Sequence, residues 1–435
     1  MTDDRTVPAP TTRTSPPTRP GRTRALFTAC VGNALEWFDW LIYAQFAALL
    51  SLQFFPAGDR TAALLGTLAI FGVGFFFRPL GGVVLAALAD RHGRRTGLVV
   101  SMLLMASGAV LIGAAPTYEQ VGLAAPAVLL LARALQGMST GGEFAGVATY
   151  LAEYAPTDKR GRYGSLLYIS ANLGALAAIG TSLALTGLLG QQQLASWGWR
   201  IPFLLGGALG LVALVLRRRM AETEAFRAVR PGRNTTPARQ LLRRHPGAVV
   251  RLFVLSGLTG VWYYTFASYL PVHLRSQGMP AAPALTAGII ALVVMTVALP
   301  FIGALSDRHG RRAFVLAFGA AVAVGAVPLF AVLQPTFVSQ VLVQTTALLV
   351  FACYAAIGPT VMAEQFPTEV RAVGSGLPYG LGVALFGGTA PLLIEWLTSK
   401  GLSGVFPWYL AVLGAVTVVA VIPLRDRRDT DMRAL

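Results

Sequence analysis

The heptapeptide ADRHGRR at Ala89–Arg95 returns almost unchanged as SDRHGRR at Ser306–Arg312, and this repetition is the strongest indication of the fold. The two copies begin 217 residues apart in a chain of 435 residues. A second pattern, Glu153-x-x-Pro-Thr-x-x-Arg, recurs from Glu364 with an offset of 211 residues. Two signatures with nearly the same offset indicate that a whole half of the chain is duplicated. Because both polar motifs lie between long apolar runs, the repeated unit is predicted to be a bundle of membrane helices.

Composition agrees with a membrane protein. Only 12% of the residues are charged and the mean hydropathy is +0.62, outside the range of soluble globular domains. Apolar runs of about 18 residues or more recur along the chain, and each can cross a hydrocarbon core of roughly 30 Å. We count twelve runs and predict an all-α membrane protein with twelve transmembrane helices in two six-helix bundles. The predicted parts are a disordered cytoplasmic tail at 1–24, an N-terminal bundle at 25–217, a cytoplasmic linker at 218–248, a C-terminal bundle at 249–424 and a cytoplasmic tail at 425–435.

The positions of the basic residues indicate the orientation. Of the 35 lysines and arginines, 29 lie in tails and loops on one side of the predicted membrane, four lie in the opposite loops, and Arg78 and Arg133 lie inside spans. The positive-inside rule therefore places both termini and the linker in the cytoplasm. Solvated cytoplasmic loops account for the net charge of +16, so membrane lipid is expected beside this charge and nucleic acid is not.

Catalytic and metal-binding patterns are not indicated. The sequence contains no Ser/His/Asp set, metal-ligand spacing or nucleotide-binding loop, so we expect neither an enzyme nor a cofactor. The two cysteines, Cys30 and Cys353, fall inside predicted spans and are interpreted as small core residues.

The repeated loop motif has a pattern suited to joining helices. In each copy the aspartate ends one helix close to the start of the next, where a carboxylate can accept hydrogen bonds from free backbone amides. The glycine permits a tight turn, and the arginines can pair with acids or lipid phosphates. Such a cluster can latch the halves together in one state, although a solvated loop is the alternative. The candidate latch residues are Asp90, Gly93, Arg94, Arg95, Glu153, Asp307, Gly310, Arg311, Arg312 and Glu364.

Acidic and basic side chains occur at one predicted depth in the membrane. Glu36 and Asp39 lie 11 to 14 residues into the first span, or roughly 16–21 Å at 1.5 Å per residue. Arg78 precedes Asp90 by 12 residues, which is about 18 Å from the cytoplasmic edge at the same rise. Charges at this depth cost at least a few kcal/mol each, so we expect them to face a wet cavity or one another.

These charges are compatible with two roles. In the structural alternative, Glu36 or Asp39 neutralises Arg78 and holds helices together. In the functional alternative, which we favour, Arg78 and Arg133 offer forked donors to a substrate carboxylate, and an acid of the first span carries the proton. The candidate proton-coupling residues are Asp39, which is slightly preferred, Glu36 and Glu143.

Aromatic residues replace charges in the second half. We expect no acid or base deep in its spans, whereas tyrosines occur in spans 7 and 11. This division suggests that the first half binds charge and the second closes over the substrate, although each tyrosine has packing or interfacial anchoring as its alternative. The candidate substrate-binding residues are Arg78, Arg133, Asn33, Tyr43, Gln136, Asn172, Tyr263, Tyr264 and Tyr379.

The loop motif resembles the hallmark Gly-x-x-x-Asp-Arg/Lys-x-Gly-Arg/Lys-Arg/Lys of the major facilitator superfamily. The copy at Gly303–Arg312 matches it fully, whereas Ala86 replaces the leading glycine of the first copy. Within the superfamily the chain is most similar to the metabolite:proton symporters, and the similarity extends over all twelve spans. The matching strings are GNALEWFD at 32–39, RPLGG at 78–82, QG at 136–137 with GGE at 141–143, and WGWRIPF at 197–203.

The resemblance implies alternating access by rocking bundles and proton-coupled uptake of a small organic anion across a bacterial inner membrane. The strings YTF at 264–266 and LFGG at 385–388 are similar to those of the family's 2-oxoglutarate permeases, and citrate carriers share much of the pattern. We therefore expect a monomer that transports 2-oxoglutarate or another di- or tricarboxylate. The alternatives are shikimate or a proline/betaine-type osmolyte as substrate, and a proton-independent uniporter as mechanism.

Overall fold

The computed structural model describes residues 19–92, 94–141, 147–148, 151, 155–218, 237–367 and 370–427. Within these residues, helices follow one another as twelve long segments, here named α1 to α12. Their bounds are α1 Arg19–Phe54, α2 Arg60–His92, α3 Arg94–Ala114, α4 Ala124–Thr140, α5 Arg160–Leu188, α6 Ile201–Arg218, α7 Pro246–Ser276, α8 Ala281–His309, α9 Arg311–Ala331, α10 Phe337–Glu364, α11 371–399 and α12 Val405–Val421. The prediction of twelve spans in an all-α fold is confirmed.

The length and apolarity of these helices agree with a membrane environment. In the described part of the chain, eight helical segments are long and apolar enough to cross a membrane, and α3 and α12 contain shorter apolar helices. Helices suit this environment because they satisfy their own backbone hydrogen bonds where no water is present.

The two bundles meet along four pairs of helices. The helices α5 and α8 pack against each other, α5 also contacts the end of α10, α2 packs against α11, and α1 contacts α7. Residues 219–236 of the predicted linker lie outside the described residues, so the domain bounds stay a prediction. We use "cytoplasmic end" for the end where α2 finishes and α3 begins, as the charge pattern predicts, and "outer end" for the other.

Glycines bring α2 and α4 into direct backbone contact. A Cβ atom at Gly137 would clash with the carbonyl oxygen of Gly74, and one at Gly141 would clash with the carbonyl oxygen of Arg78. Only a residue without a side chain permits this approach. The consequence is that Arg78 on α2 and Arg133 on α4 lie beside each other inside the N-terminal bundle.

Two helices of the second half contain π-helical turns at mid-length. These turns are Tyr264–Tyr269 in α7 and Val383–Gly387 in α11. The amide of Gln344 on α10 donates to the Phe266 carbonyl oxygen at 2.7 Å and so satisfies an acceptor of the first turn. Such turns occur frequently at functional sites, and both of these border the interface with the first half.

Candidate functional site

The two intramembrane arginines stack on one tryptophan. The guanidinium carbon of Arg78 lies 4.2 Å from the Trp40 ring centroid and 4.3 Å from that of Phe75. The guanidinium carbon of Arg133 lies 3.9 Å from the Trp40 centroid and 4.5 Å from that of Tyr43. The negative faces of these rings stabilise the buried cations without using their hydrogen-bond donors.

Some donors of these arginines have no partner among the described residues. Arg133 donates one bond through Nη1 to Gln136 Oε1 at 2.7 Å. Its Nε and Nη2 atoms, and Nε of Arg78, are buried and have no hydrogen-bond partner in the described part of the chain. Among the described residues, neither arginine forms an ion pair with a carboxylate.

The two acids of α1 are buried in different surroundings. Asp39 is 2% exposed and Glu36 is 3% exposed. Asp39 lies within the N-terminal bundle against α6, where a Cβ atom added at Gly206 would be 3.3 Å from its Oδ1. Both Asp39 oxygens lack hydrogen-bond partners among the described residues. Glu36 lies instead at the interface of the halves, within electrostatic reach of Tyr264 and Tyr379.

A small aromatic cavity lies between the halves next to these charges. The Trp37 ring of the first half packs edge-on against Tyr263 at 5.2 Å and stacks on Tyr264 at 6.2 Å. Tyr264 also packs against Phe75 at 4.9 Å, and Phe75 is the ring that Arg78 covers. A single ring, that of Phe75, thus lies between Tyr264 of the cavity and Arg78. Its aromatic lining consists of Trp37, Tyr168, Tyr263, Tyr264, Phe351 and Tyr379.

Asn172 joins the halves at this level. Its amide nitrogen donates to Thr296 Oγ1 on α8 at 2.9 Å, and its oxygen accepts a 3.5 Å bond from the Tyr263 hydroxyl. Five of the candidate ligands therefore lie at the interface of the halves, and Arg133 and Gln136 lie behind Trp40. The five are Arg78, Asn172, Tyr263, Tyr264 and Tyr379.

Two candidate ligands make other contacts. The Asn33 amide donates to the Leu167 carbonyl oxygen at 2.9 Å and to Ser170 Oγ at 2.8 Å, which ties α1 to α5. The Tyr43 hydroxyl donates to the Thr67 carbonyl oxygen at 2.9 Å. The Asn33 amide nitrogen and the Tyr43 hydroxyl are thus engaged within the first half, whereas Asn33 Oδ1 has no partner among the described residues. Substrate contact by either residue stays a prediction.

At the cytoplasmic end, Asp307 of the second repeated motif joins the two halves. Its Oδ1 accepts a 2.8 Å bond from the backbone amide of Gly161, and its Oδ2 a 3.1 Å bond from that of Arg162. It thus caps the N-terminus of α5, a helix of the other half, where a negative charge is stabilised. Arg311 completes the contact with a 2.8 Å ion pair to Asp307.

Glu364 forms a second connection across the same end. Its carboxylate lies 3.6 Å from Arg160 Nη1 of the first half and 3.9 Å from Arg311 Nε. The C-terminal segment adds two contacts, because Asp426 accepts from the Arg311 backbone amide at 2.9 Å and Arg427 donates to the Glu364 carbonyl oxygen at 3.0 Å. Arg311 belongs to the motif with which sequence reasoning paired Glu364. The contacts of Arg160, Asp426 and Arg427 were not anticipated.

The remaining latch candidates are only partly described. Gly310 has φ 93°, a left-handed conformation that favours glycine, and Arg312 is exposed. Gly93, Glu143 and Glu153 lie outside the described residues, as do the side chains of Asp90, Arg94 and Arg95.

One acid of the second half lies near the end of a span. Glu395 lies one turn before the end of α11 at Ser399, and its carboxylate accepts a short hydrogen bond from Tyr269 on α7. This partly buried acid lies near the outer end and not at mid-depth, where no acid or base was expected.

We propose that Asp307 latches the cytoplasmic end, and we expect Asp307→Asn to open it. Interactions of a charge with a helix N-terminus are worth up to about 2 kcal/mol in partly buried sites, so the open population should rise roughly five- to thirtyfold. The readout is the alkylation rate of a cysteine replacing the buried Ser165 on α5, in a chain in which Cys30 and Cys353 are replaced by serine. Asp158→Asn, which changes an exposed acid nearby, is the matched control. Equal alkylation rates in Asp307→Asn and the control would contradict the latch.

Comparison with known proteins gives the family. The family model for the Major Facilitator Superfamily matches residues 29–377. The chain is 37% identical over 434 residues to the alpha-ketoglutarate permease of Escherichia coli (strain K12), covering 98% of this chain and 99% of the permease. It is 34% identical over 411 residues to the ectoine/proline transporter ProP of Corynebacterium glutamicum, covering 90% of this chain and 82% of that transporter.

A solved structure shows the same fold. The xylose transporter XylE from E. coli, in a partially occluded inward open conformation, matches with a TM-score of 0.74 at 18% identity, covering 92% of this chain and 96% of that one. The duplicated halves, the twelve helices and the family match agree. The chain belongs to the major facilitator superfamily.

Proposed function

We propose that this transporter imports a small dicarboxylate together with a proton by alternating access across the bacterial inner membrane. The observation that carries the proposal is the pair of buried arginines at mid-membrane that share the ring of Trp40. Guanidinium groups bind carboxylates through paired hydrogen bonds, and they remain charged when buried.

The number of cations favours a dianion. The two guanidinium carbons lie at most roughly 8 Å apart, because both are within cation–π distance of one ring. A buried cation without a counter-ion is costly. A substrate with two carboxylates neutralises both arginines, whereas a monocarboxylate leaves one of them unpaired. The alpha-ketoglutarate permease relative supports 2-oxoglutarate as the first compound to test.

The proton-carrying residue in this proposal is Asp39. An ionised carboxylate that is buried without hydrogen-bond donors is costly, and both Asp39 oxygens are in that situation. Asp39 also lies on the same side of the bundle as Arg133 and interacts with it electrostatically. When the substrate leaves the arginines, its negative charge no longer acts on Asp39. Binding of substrate and binding of the proton at Asp39 are therefore coupled.

A zwitterionic osmolyte is the second candidate substrate. The observation that favours it is the aromatic cavity, since rings such as Trp37, Tyr263 and Tyr264 can surround a quaternary ammonium group. The ectoine/proline transporter relative supports this class. In that case Glu36 would lie near the cationic end and one arginine would bind the carboxylate.

Counterflow in proteoliposomes tests the substrate class. Vesicles preloaded with unlabelled 2-oxoglutarate, citrate, shikimate, proline or glycine betaine are diluted into the matching labelled compound, with no pH gradient. We expect rapid exchange of 2-oxoglutarate and slow or no exchange of proline and glycine betaine. The opposite order would replace the dicarboxylate with an osmolyte.

A pH gradient then tests coupling to protons. With the interior alkaline, empty vesicles should accumulate the exchanged compound several-fold above its external concentration, and a protonophore should abolish the accumulation. Equal uptake with and without the gradient would make the protein a uniporter.

A further inference from the structure

The outer end of the second half contains a titratable cluster that is separate from the arginine site. The Tyr269 hydroxyl donates a short hydrogen bond to the Glu395 carboxylate, joining α7 to α11. The His273 ring lies one helical turn beyond Tyr269, with the ring centroids 5.9 Å apart. His273 is within electrostatic reach of Glu395, and its buried Nδ1 has no hydrogen-bond partner among the described residues.

Tyr269 and Glu395 both lie on helix faces that are directed toward the first half. A π-helical turn connects residues i and i+5, so Tyr269 lies about one turn closer to the outer end than Tyr264. Tyr264 itself packs against Trp37 and Phe75 of the first half. On α11, Glu395 follows Gly388 by seven residues and shares its face. Gly388 faces α2, because a Cβ atom there would be 2.7 Å from the Phe75 ring.

The cluster therefore lies where the outer end is closed. The outer segment of α7 packs against α1, and the outer segment of α11 packs against α2. Both segments begin directly after π-helical turns, at Leu270 and Gly388. Hence the Tyr269–Glu395 bond ties together the two segments that cover the aromatic cavity from outside.

Glu395 forms no ion pair with a cationic side chain in the described structure. Asp59 and Arg60 begin α2, Arg275 lies on α7, Lys400 follows α11 and Tyr409 lies on α12. Among the described residues, none of these groups forms an ion pair with Glu395. In the described part of the chain, its carboxylate accepts from the Tyr269 hydroxyl and lies within electrostatic reach of the His273 imidazole.

We propose that Tyr269, Glu395 and His273 form a proton-binding clasp that opens the outer side when the external solution becomes acidic. A hydrogen bond to an ionised carboxylate is roughly twice as strong as one between neutral groups. Protonation of Glu395 weakens its bond to Tyr269, and protonation of His273 draws the carboxylate away from Tyr269, so either event releases α7 from α11. The two groups are coupled and share the incoming proton. The proposal rests on the proposed function only in requiring a transporter with an outer side that opens.

A distance measurement that needs no substrate tests the clasp. Spin labels are placed at Arg60→Cys and Leu402→Cys, on the outer ends of the two halves, in a chain with Cys30 and Cys353 replaced by serine. Distances in lipid nanodiscs are measured by pulsed electron resonance between pH 5 and pH 8. In the parent we expect the long-distance population to rise at least threefold as the pH falls.

Variants of the cluster separate the clasp from a structural contact. Glu395→Gln should show the long-distance population at every pH, and Glu395→Asp, which keeps the carboxylate, should restore the pH response. Glu119→Gln, which changes an exposed glutamate at the same end, should behave like the parent. A parent without pH dependence, or a Glu395→Gln variant that retains the parental pH dependence, would overturn the clasp. Failure to transport a dicarboxylate would leave this readout unaffected.

Discussion

Arg78→Ala is expected to abolish dicarboxylate binding while leaving the protein folded. Arg78 lies at the interface of the halves, 6% exposed, with its Nε free of partners in the described structure. Truncating one member of a buried charge pair costs about 2–5 kcal/mol, which corresponds to a loss of affinity of roughly 30-fold to several thousand-fold. Isothermal titration calorimetry with 2-oxoglutarate measures this loss directly.

Two comparison variants make the Arg78 result interpretable. Arg78→Lys keeps the charge but loses the planar fork, so its affinity should fall between those of the parent and Arg78→Ala. Arg200→Ala is the matched control, because Arg200 also stacks on a tryptophan, 4.1 Å from the Trp199 centroid, but lies at the outer end of α6. An Arg78→Ala affinity equal to that of Arg200→Ala would assign Arg78 a purely structural role.

Asp39→Asn is expected to abolish accumulation of the substrate while leaving exchange of the substrate intact. The amide cannot carry a proton, so uptake driven by a pH gradient should fall to the level of passive equilibration, a loss of at least tenfold if the parent accumulates substrate tenfold. Counterflow at equal pH should persist, because exchange of substrate needs no net proton transfer. The amide has nearly the shape of the acid and fits the packing against Gly206.

Glu36→Gln tests the assignment between the two acids of α1. Glu36 lies at the interface near Tyr264 and Tyr379, so we expect this variant to weaken substrate binding and to keep coupling. If Glu36→Gln loses accumulation and Asp39→Asn keeps it, the proton carrier is Glu36.

The helices were predictable because each membrane segment must be apolar over its length and must satisfy its own backbone. The internal repeat likewise predicted two related bundles. The π-helical turn at Tyr264–Tyr269 was not predictable, since it depends on Gln344, which is 80 residues away from Tyr264 and donates to the Phe266 carbonyl oxygen. Apolar periodicity contains no signal for such a tertiary contact.

The sequence predicted which charged residues lie in the candidate site, but it did not predict the contacts that these residues make. Depth placed Glu36, Asp39 and Arg78 at one level, and all three are buried. The role of Trp40 was missed because a tryptophan in an apolar span is indistinguishable from a packing residue. The sequence contained only a weak indication of this role, because Trp40 directly follows Asp39 in a segment that also contains Glu36.

The partners of the latch were missed for a different reason. A salt bridge between Arg160 and Glu364 joins residues 204 positions apart in the chain. Repeat analysis compares the two halves with each other, and it does not show which surfaces of the halves touch. The contact follows only from packing α5 against α8 and α10.

An experimental structure with the exchanged substrate bound tests the arginine site directly. We expect two carboxylates within hydrogen-bond distance of Arg78 and Arg133, next to Trp40, with Tyr264 and Tyr379 closing the other side. A substrate held in the aromatic cavity alone, with neither guanidinium in contact with it, would show that the arginines do not bind it.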